Sequence, residues 1–212
     1  MNPEELLEAG LNRLGLEWEQ RQVEKLLSYM EELERWNKRV NLVKAEGREL
    51  IIKHMLDSLA GIPVFRECNT GASLLDIGSG AGFPAIPLAL FLTEKTFTLC
   101  EKTGKKAIFL ENTAFRLGLK QVTVIQSDYN RLQDVFDVIT FRAFTRVSSA
   151  LDHFLRLIRP GGYILAYKGT RVKAEEEQTE MTGSSCNVQT MIKKLTVPFL
   201  DDERHILVIK KI

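Results

Sequence analysis

Apolar residues in the first third of the chain recur at helical intervals. Leu6, Leu7, Leu11 and Leu14 keep this rhythm until Gly15 interrupts it, and Val23, Leu26, Leu27, Met30, Leu33 and Trp36 share one face of a longer helix. Asn41-Leu42-Val43 reads as a turn, and Glu49 to Ala60 is expected to form a third helix stopped by Gly61 and Pro63. The pattern changes near Ala72. Short apolar runs now alternate with helical spacing: strands at Ser73–Ile77, Phe97–Cys100, Val122–Ile125, Phe136–Thr140 and Tyr163–Tyr167, and helices at Ala85–Phe91, Lys105–Leu117 and Val147–Ile158. Gly118 stops the second of these helices, and Arg159-Pro160-Gly161-Gly162 closes the third. Lys173 to Gln178 fits a short charged helix or a solvated loop, and Thr182 to Ser185 a mobile loop.

Strands alternating with helices predict a mostly parallel, doubly wound α/β sheet, because each parallel crossover needs a covering helix. Val188–Val197 and His205–Ile209, separated by the polar Asp201-Asp202-Glu203-Arg204, read as an antiparallel hairpin that completes seven strands. The expected organisation is an N-terminal helical extension, residues 1–71, packed on an α/β domain of residues 72–212.

Composition narrows this picture. With 44% hydrophobic and 27% charged residues the chain can build a globular core, and a formal net charge of +1 does not by itself announce a polyanion partner. The acidic start Met1-Asn2-Pro3-Glu4-Glu5 has no basic n-region. The longest apolar stretch, near Ile86–Leu92, is far short of the roughly 18 residues of a membrane span. A cytoplasmic protein without a membrane partner is expected. Cys68, Cys100 and Cys186 are too scattered for a disulfide framework or a zinc site, so reduced thiols and no metal are expected. Trp18 and Trp36 fall on apolar helix faces and read as core.

The candidate chemistry lies in Asp76-Ile77-Gly78-Ser79-Gly80-Ala81-Gly82-Phe83-Pro84, where a buried strand runs through alternate glycines into a helix. Such glycines supply turn geometry and let backbone approach a ligand. A dinucleotide loop requires a glycine where Phe83 stands, and the Gly-Lys-Ser/Thr of a phosphate loop is absent. Glu101, about 20 residues beyond the glycines at the end of the second strand, can accept hydrogen bonds from ribose hydroxyls. Asp128 follows the third strand, where an adenine-contacting loop would sit.

These features resemble the class I S-adenosylmethionine-dependent methyltransferases. More specifically, Asn41-Leu42, His54-Met55-Leu56-Asp57-Ser58, the segment Asp76 to Pro87, Gly104-Lys105-Lys106 with Phe109-Leu110, Phe141-Arg142-Ala143 and Lys168-Gly169 resemble the bacterial RsmG/GidB family, in order along nearly the whole chain. That family methylates guanine N7 in 16S ribosomal RNA. The resemblance implies a Rossmann-like class I fold and S-adenosylmethionine as cofactor. It implies cofactor contacts from Gly78, Gly80, Phe83, Tyr129, Asn130 and Arg142, and 16S rRNA or the small ribosomal subunit as partner of a monomeric enzyme. Tyr129-Asn130 replace the family's usual Ala-Glu, and Glu101 replaces its usual Asp.

Acceptor chemistry is consistent with this. A pyrimidine carbon needs a cysteine nucleophile, and the nearest, Cys100, falls on the cofactor side. Strand four lacks the Asn/Asp-Pro-Pro-aromatic turn that accompanies exocyclic amine acceptors. Guanine N7 has an in-plane lone pair and no proton, so it needs positioning rather than a base. Arg142, at the carboxyl end of strand four, can clamp the cofactor carboxylate or the target base as the catalytic residue, or be a surface arginine. Lys168, after strand five, can bind RNA phosphate. His54 and Asp57 lie one helical turn apart, to brace the cofactor loop or to line the pocket. Two basic sets, Arg35 to Lys53 and Arg142 to Lys173, form either an RNA footprint or solvated helix faces. A methyltransferase for another nucleic acid or a small molecule, and a non-enzymatic cofactor-binding regulator, are the competing readings.

Overall fold

The computed structural model describes residues 1–68, 71, 73–144, 146–182 and 187–212. Cys186 and residues 183–185 of the expected loop lie outside the described residues. Seven strands form one sheet: β1 (Ser73–Ile77), β2 (Thr96–Glu101), β3 (Val122–Gln126), β4 (Phe136–Arg142), β5 (Ile158–Lys168), β6 (Val188–Leu195) and β7 (Arg204–Lys211). Their order is β3-β2-β1-β4-β5-β7-β6. The first five are parallel, and β7 runs antiparallel to both β5 and β6. The winding direction reverses between β1 and β4. The crossovers there leave to opposite sides and open a crevice beyond the carboxyl ends of the two strands.

Alternation along the strands feeds two hydrophobic layers. Leu75 and Ile77 of β1 join Val147, Leu151 and Phe154 of α8 (Val147–Leu157) on one face. Leu74 joins the opposite layer, with Ala85 and Leu88 of α6 (Ala85–Phe91) and Phe109 and Leu110 of α7 (Gly104–Arg116). That second layer continues into Leu6, Leu7 and Leu11 of α1 (Pro3–Arg13) and Val23, Leu26 and Leu33 of α2 (Gln20–Asn37). The N-terminal helices therefore share the core of the sheet. Trp36 packs edge-on against Phe109 at 5.8 Å and donates its indole N–H to Glu32, while the Trp18 indole donates to Asn12.

Three segments differ from the sequence expectation. The third helix is continuous but not uniform: α3 (Gly47–Leu50) widens into a π-helical turn, Ile51–Leu56, before α4 (Asp57–Leu59). It ends at Leu59, capped by Ala60, so the stop falls at Gly61 as expected. A separate short helix, α5 (Ile62–Glu67), then begins, since proline is tolerated in a first turn whose N–H groups have no helical partner. Strand β5 begins at Ile158, so Arg159-Pro160-Gly161-Gly162 lies within it. The register jumps from Phe136 beside Ile158 to Val138 beside Tyr163, and Gly161, at φ 76, absorbs the irregularity. The charged segment after β5 is a full helix, α9 (Arg171–Thr182), held by the buried Ala174, Glu177 and Met181.

Gly61 is required by space. A Cβ there would overlap the hydroxyl of Tyr167, which donates to the Ser58 carbonyl at 2.7 Å. Gly61→Ala is expected to destabilise the protein by about 2 kcal/mol, the scale of overpacking a core. A urea midpoint equal to that of the parent protein would show that Tyr167 relocates freely.

Candidate active site

The glycine turn leaves β1 by bonding to its neighbour strand. The N–H groups of Gly78 and Ser79 both donate to the Cys100 carbonyl, at 2.9 and 3.3 Å. Gly78, Gly80 and Gly82 have φ values of 68, 55 and 92, a region that disfavours side chains. At Gly82 space also matters: a Cβ would stand 2.7 Å from Ile86 and 2.8 Å from the Tyr29 hydroxyl. Tyr29, fully buried on α2, donates to the Ala81 carbonyl at 2.5 Å. The N-terminal helices thus pin the turn from behind.

Glu101 closes the turn from the front. Its Oε2 accepts from Gly80 N–H at 2.9 Å and its Oε1 from Thr103 N–H at 2.8 Å. Each carboxylate oxygen retains a lone pair for a further donor. Gly78, Gly80, Glu101, Asp128, Tyr129 and Phe144 are among the walls of a cleft of about 250 Å³. Asp128 caps the following 3-10 turn (Tyr129–Arg131) by accepting from the Asn130 N–H at 3.0 Å and from its side-chain amide at 2.9 Å. Tyr129 meets Phe144 and His153 edge-on, at 5.2 Å each. Cys100 is buried in the same cleft, contacts the Ser127 carbonyl through sulfur, and has its thiol pushed up to about 12 by burial, so it is not a thiolate nucleophile.

The second cavity, about 810 Å³, lies beside the first. Arg142 stands in its wall and is the hub of a network. Its guanidinium donates to Asp57 Oδ2 at 2.9 Å and to the Lys53 carbonyl at 3.1 Å, and bonds to His54 Nδ1. It also lies 5.1 Å from the Phe83 ring centroid, and His54 packs on that same ring at 5.1 Å. Asp57 is buried and carries a second ion pair, from Arg204 at 3.3 Å. Burial pushes its carboxyl up while Arg142 pulls it down. Burial first, and the Arg142 charge second, lower His54 to about 3, so its imidazole is neutral at physiological pH. His54 and Asp57 therefore do both things expected of them: they line the cavity, and through Arg142 and Phe83 they brace the glycine turn. Both reach one guanidinium, which Arg142 extends from the last position of β4.

The expected phosphate ligand Lys168 is only slightly exposed. Its ammonium pairs with the buried Glu177 at 2.6 Å and lies 5.8 Å from the Phe141 centroid. Glu177 also accepts from the Val147 N–H at 2.8 Å. Arg146 and Arg171 pair with Glu180 and Glu175, and Lys53 pairs with Glu49. Lys38, Arg39 and Lys44 are exposed. Sequence reasoning missed Arg204, which it assigned to a polar turn, and Phe144, two residues past Arg142. Position in the chain marks neither as a site residue.

Asp76 tests which ligand fits. It is wholly buried beneath the glycine turn, and neither carboxylate oxygen has a hydrogen-bond partner. The Ser79 hydroxyl donates instead to the Asp76 backbone carbonyl, at 3.0 Å. Burial raises the carboxyl to about 8. An unpaired acid under a glycine cradle suits a cationic ligand, and Glu101 suits a diol. A cationic nucleoside such as S-adenosylmethionine satisfies both, whereas a nucleoside phosphate would meet two carboxylates. Among the described residues no group of three or more His, Cys, Asp or Glu side chains could hold a metal ion, and no helix is long and apolar enough to cross a membrane.

Comparison with known proteins agrees with this geometry. A family model described as rRNA small subunit methyltransferase G (GidB) matches residues 22–207. Ribosomal RNA small subunit methyltransferase G of Neisseria meningitidis serogroup B is 35% identical over 213 residues, covering 100% of both chains. The protein of that name from Coxiella burnetii (strain Dugway 5J108-111) is 36% identical, covering 97% of both. An O-methyltransferase from Bacillus cereus in complex with SAH shares the fold with a TM-score of 0.61 at 18% identity, over 87% of this chain and 91% of that one. A SAM-dependent methyltransferase from Aquifex aeolicus does so with a TM-score of 0.58 at 15% identity, over 76% and 93%.

Proposed function

The chain belongs to the rRNA small subunit methyltransferase G family, and on that premise we propose that it transfers a methyl group from S-adenosylmethionine to N7 of a guanine in 16S ribosomal RNA. The observation that carries this reading is the meeting of two clefts at the carboxyl ends of β1 and β4. One is walled by the glycine turn and Glu101, the other by Arg142. Bound S-adenosylmethionine supplies an electrophilic methyl group on a sulfonium. Gly78 and Gly80 would admit it, Glu101 would take the ribose hydroxyls and Tyr129 would border the adenine, with Asn130 beside it shaping the loop. Phe83, buried at the end of the turn, and Arg142 would act at the methionine end.

The transfer forms an N7–carbon bond as the sulfur–carbon bond breaks, and N7 releases no proton. The groups facing the acceptor cavity suit that demand. His54 is engaged by Arg142, and Asp57 is held by two arginines, so neither is a free base. What remains is orientation, which can contribute about 7–11 kcal/mol when both reactants are held in line. Arg142 is the catalytic residue in this reading, directed at the acceptor purine or the cofactor carboxylate. Lys168, fixed by Glu177, is a substrate-side positioning residue. In this reading the enzyme works as a monomer, in the cytoplasm where ribosomes assemble.

Reductive aniline cleavage of 16S rRNA tests the assignment. One N7-methylguanosine stop is expected to vanish from cells lacking the gene and to return with the wild-type gene. If the cleavage pattern is the same with and without the gene, the rRNA assignment fails.

A further inference from the structure

Phe144 stands where the two cavities meet and lines both. Its ring presses against Gly78 and fills the space that any side chain there would need. Ala143 precedes it with φ 52, so the chain leaves β4 through a left-handed residue that folds Phe144 back over the glycine turn. Tyr129 meets the ring edge-on, and Phe141 lies 6.2 Å away. Among the described residues no polar group fastens the ring, which is 36% exposed.

This placement conflicts with the purpose of Gly78. A glycine at that point clears room for a ligand, and Phe144 occupies the room. The acceptor cavity presents the converse situation. Most of its lining residues are charged, and a purine needs a flat aromatic face to stack on. Three rings line it. His54 is stacked on Phe83 and held by Arg142, and Tyr167 is 5% exposed with its hydroxyl on Ser58. Phe144 is the ring left to offer a face.

Building on the methyltransferase reading, we propose that Phe144 is a movable partition between the two sites: S-adenosylmethionine entering the glycine cleft displaces the ring from Gly78, and the displaced ring stacks on the acceptor guanine. Cofactor binding then builds part of the acceptor site, and productive RNA binding follows the cofactor. Stacking on a π face tolerates any base, so Phe144 positions the acceptor without selecting it.

The test uses full-length Phe144→Ala, Phe144→Leu and Phe144→Tyr proteins. S-adenosylhomocysteine association is followed by stopped flow and its affinity by calorimetry. Transfer of labelled methyl is measured on small subunits from cells lacking the gene. Phe144→Ala is expected to bind S-adenosylhomocysteine several-fold faster and no more weakly. Its KM for the subunit is expected to rise about ten-fold, the scale of one lost base stack. Phe144→Leu keeps the bulk but loses the RNA step equally, and Phe144→Tyr restores it. Wild-type KM for the subunit in Phe144→Leu would overturn the stacking role. An unchanged association rate, or affinity lost with the ring, would overturn the partition. The ligand-binding arm uses no RNA, so it decides the partition even if the wild-type protein labels no subunits, an outcome that instead counts against the rRNA assignment and removes the stacking role with it.

Discussion

Arg142→Ala is expected to lower kcat/KM for methyl transfer by about 100- to 1,000-fold, the scale of losing a positioned polar group at a reaction centre, and to destabilise the protein by about 3–5 kcal/mol. The second effect follows from Asp57. Asp57 is 2% exposed; burial pushes its carboxyl up, and Arg142 and Arg204, which face it, pull it back down. With Arg142 gone, Arg204 at 3.3 Å is the ion partner left, and a buried anion loses its hydrogen-bonded cation. Phe83 loses the cation over its ring, and His54 loses the charge that helps to hold its pKa low. The two losses separate experimentally. Arg142→Leu combined with Asp57→Leu removes both charges, and is expected to recover much of the urea stability and none of the transfer. Arg142→Lys keeps the charge but not the planar fork that reaches Asp57 and His54 together, so it should fall between the alanine variant and the wild type in stability while remaining poorly active. An Arg142→Ala protein with wild-type kcat/KM would remove the residue from the mechanism.

Asp76→Asn is expected to move ligand-free stability the other way. The folded-state pKa of Asp76, about 8, lies above the ordinary 3.8, so the folded protein holds a proton that the unfolded chain releases. Any stability linked to this group is fully present below pH 3.8 and is lost as pH rises toward 8. At pH 7 the cost is on the order of 4 kcal/mol. Asparagine cannot ionise and escapes it. The ligand-free variant should therefore unfold at higher urea at pH 7, with a flatter pH dependence between pH 4 and 8. Cofactor affinity should fall about ten-fold or more, since a bound cation favours ionisation of Asp76 and is then faced by a buried carboxylate that asparagine cannot supply. Calorimetry with S-adenosylmethionine and urea unfolding across pH measure the pair. A stability profile parallel to that of the parent protein would mean that Asp76 is not the titrating group. The same carboxylate thus weakens the empty protein and favours the filled one.

Much of the sheet was readable from spacing. Alternating apolar runs located every strand to within a few residues, apart from the bulged start of β5. A strand followed by Gly78, Gly80 and Gly82 placed the turn, because positive φ and close approach are needs that glycine meets locally. Gly61 and Pro63 stop the third helix where their signals place its end. The misreading at β5 has a tertiary cause. Arg159-Pro160-Gly161-Gly162 reads as a loop, yet β4 holds the backbone on either side of it in a bulged ladder. There, pairing with distant chain overrides a local preference of about 1 kcal/mol per residue.

The candidate site divides along the same line. Local sequence specified the chemistry of the glycine turn and the acidic end of β2, since each needs only a strand and its next few residues. It also supplied Arg142 at the end of β4. It could not say what Arg142 does, because Asp57 is 85 residues away and the contact exists only once the π-helical turn lies against the sheet. The pairing that withdraws Lys168 into Glu177, the isolation of Asp76 beneath the turn, and the place of Phe144 between two cavities are equally products of packing. Period and propensity act over a few residues and leave their mark in the sequence. Burial, charge pairing and shared space act between residues that only the folded chain brings together.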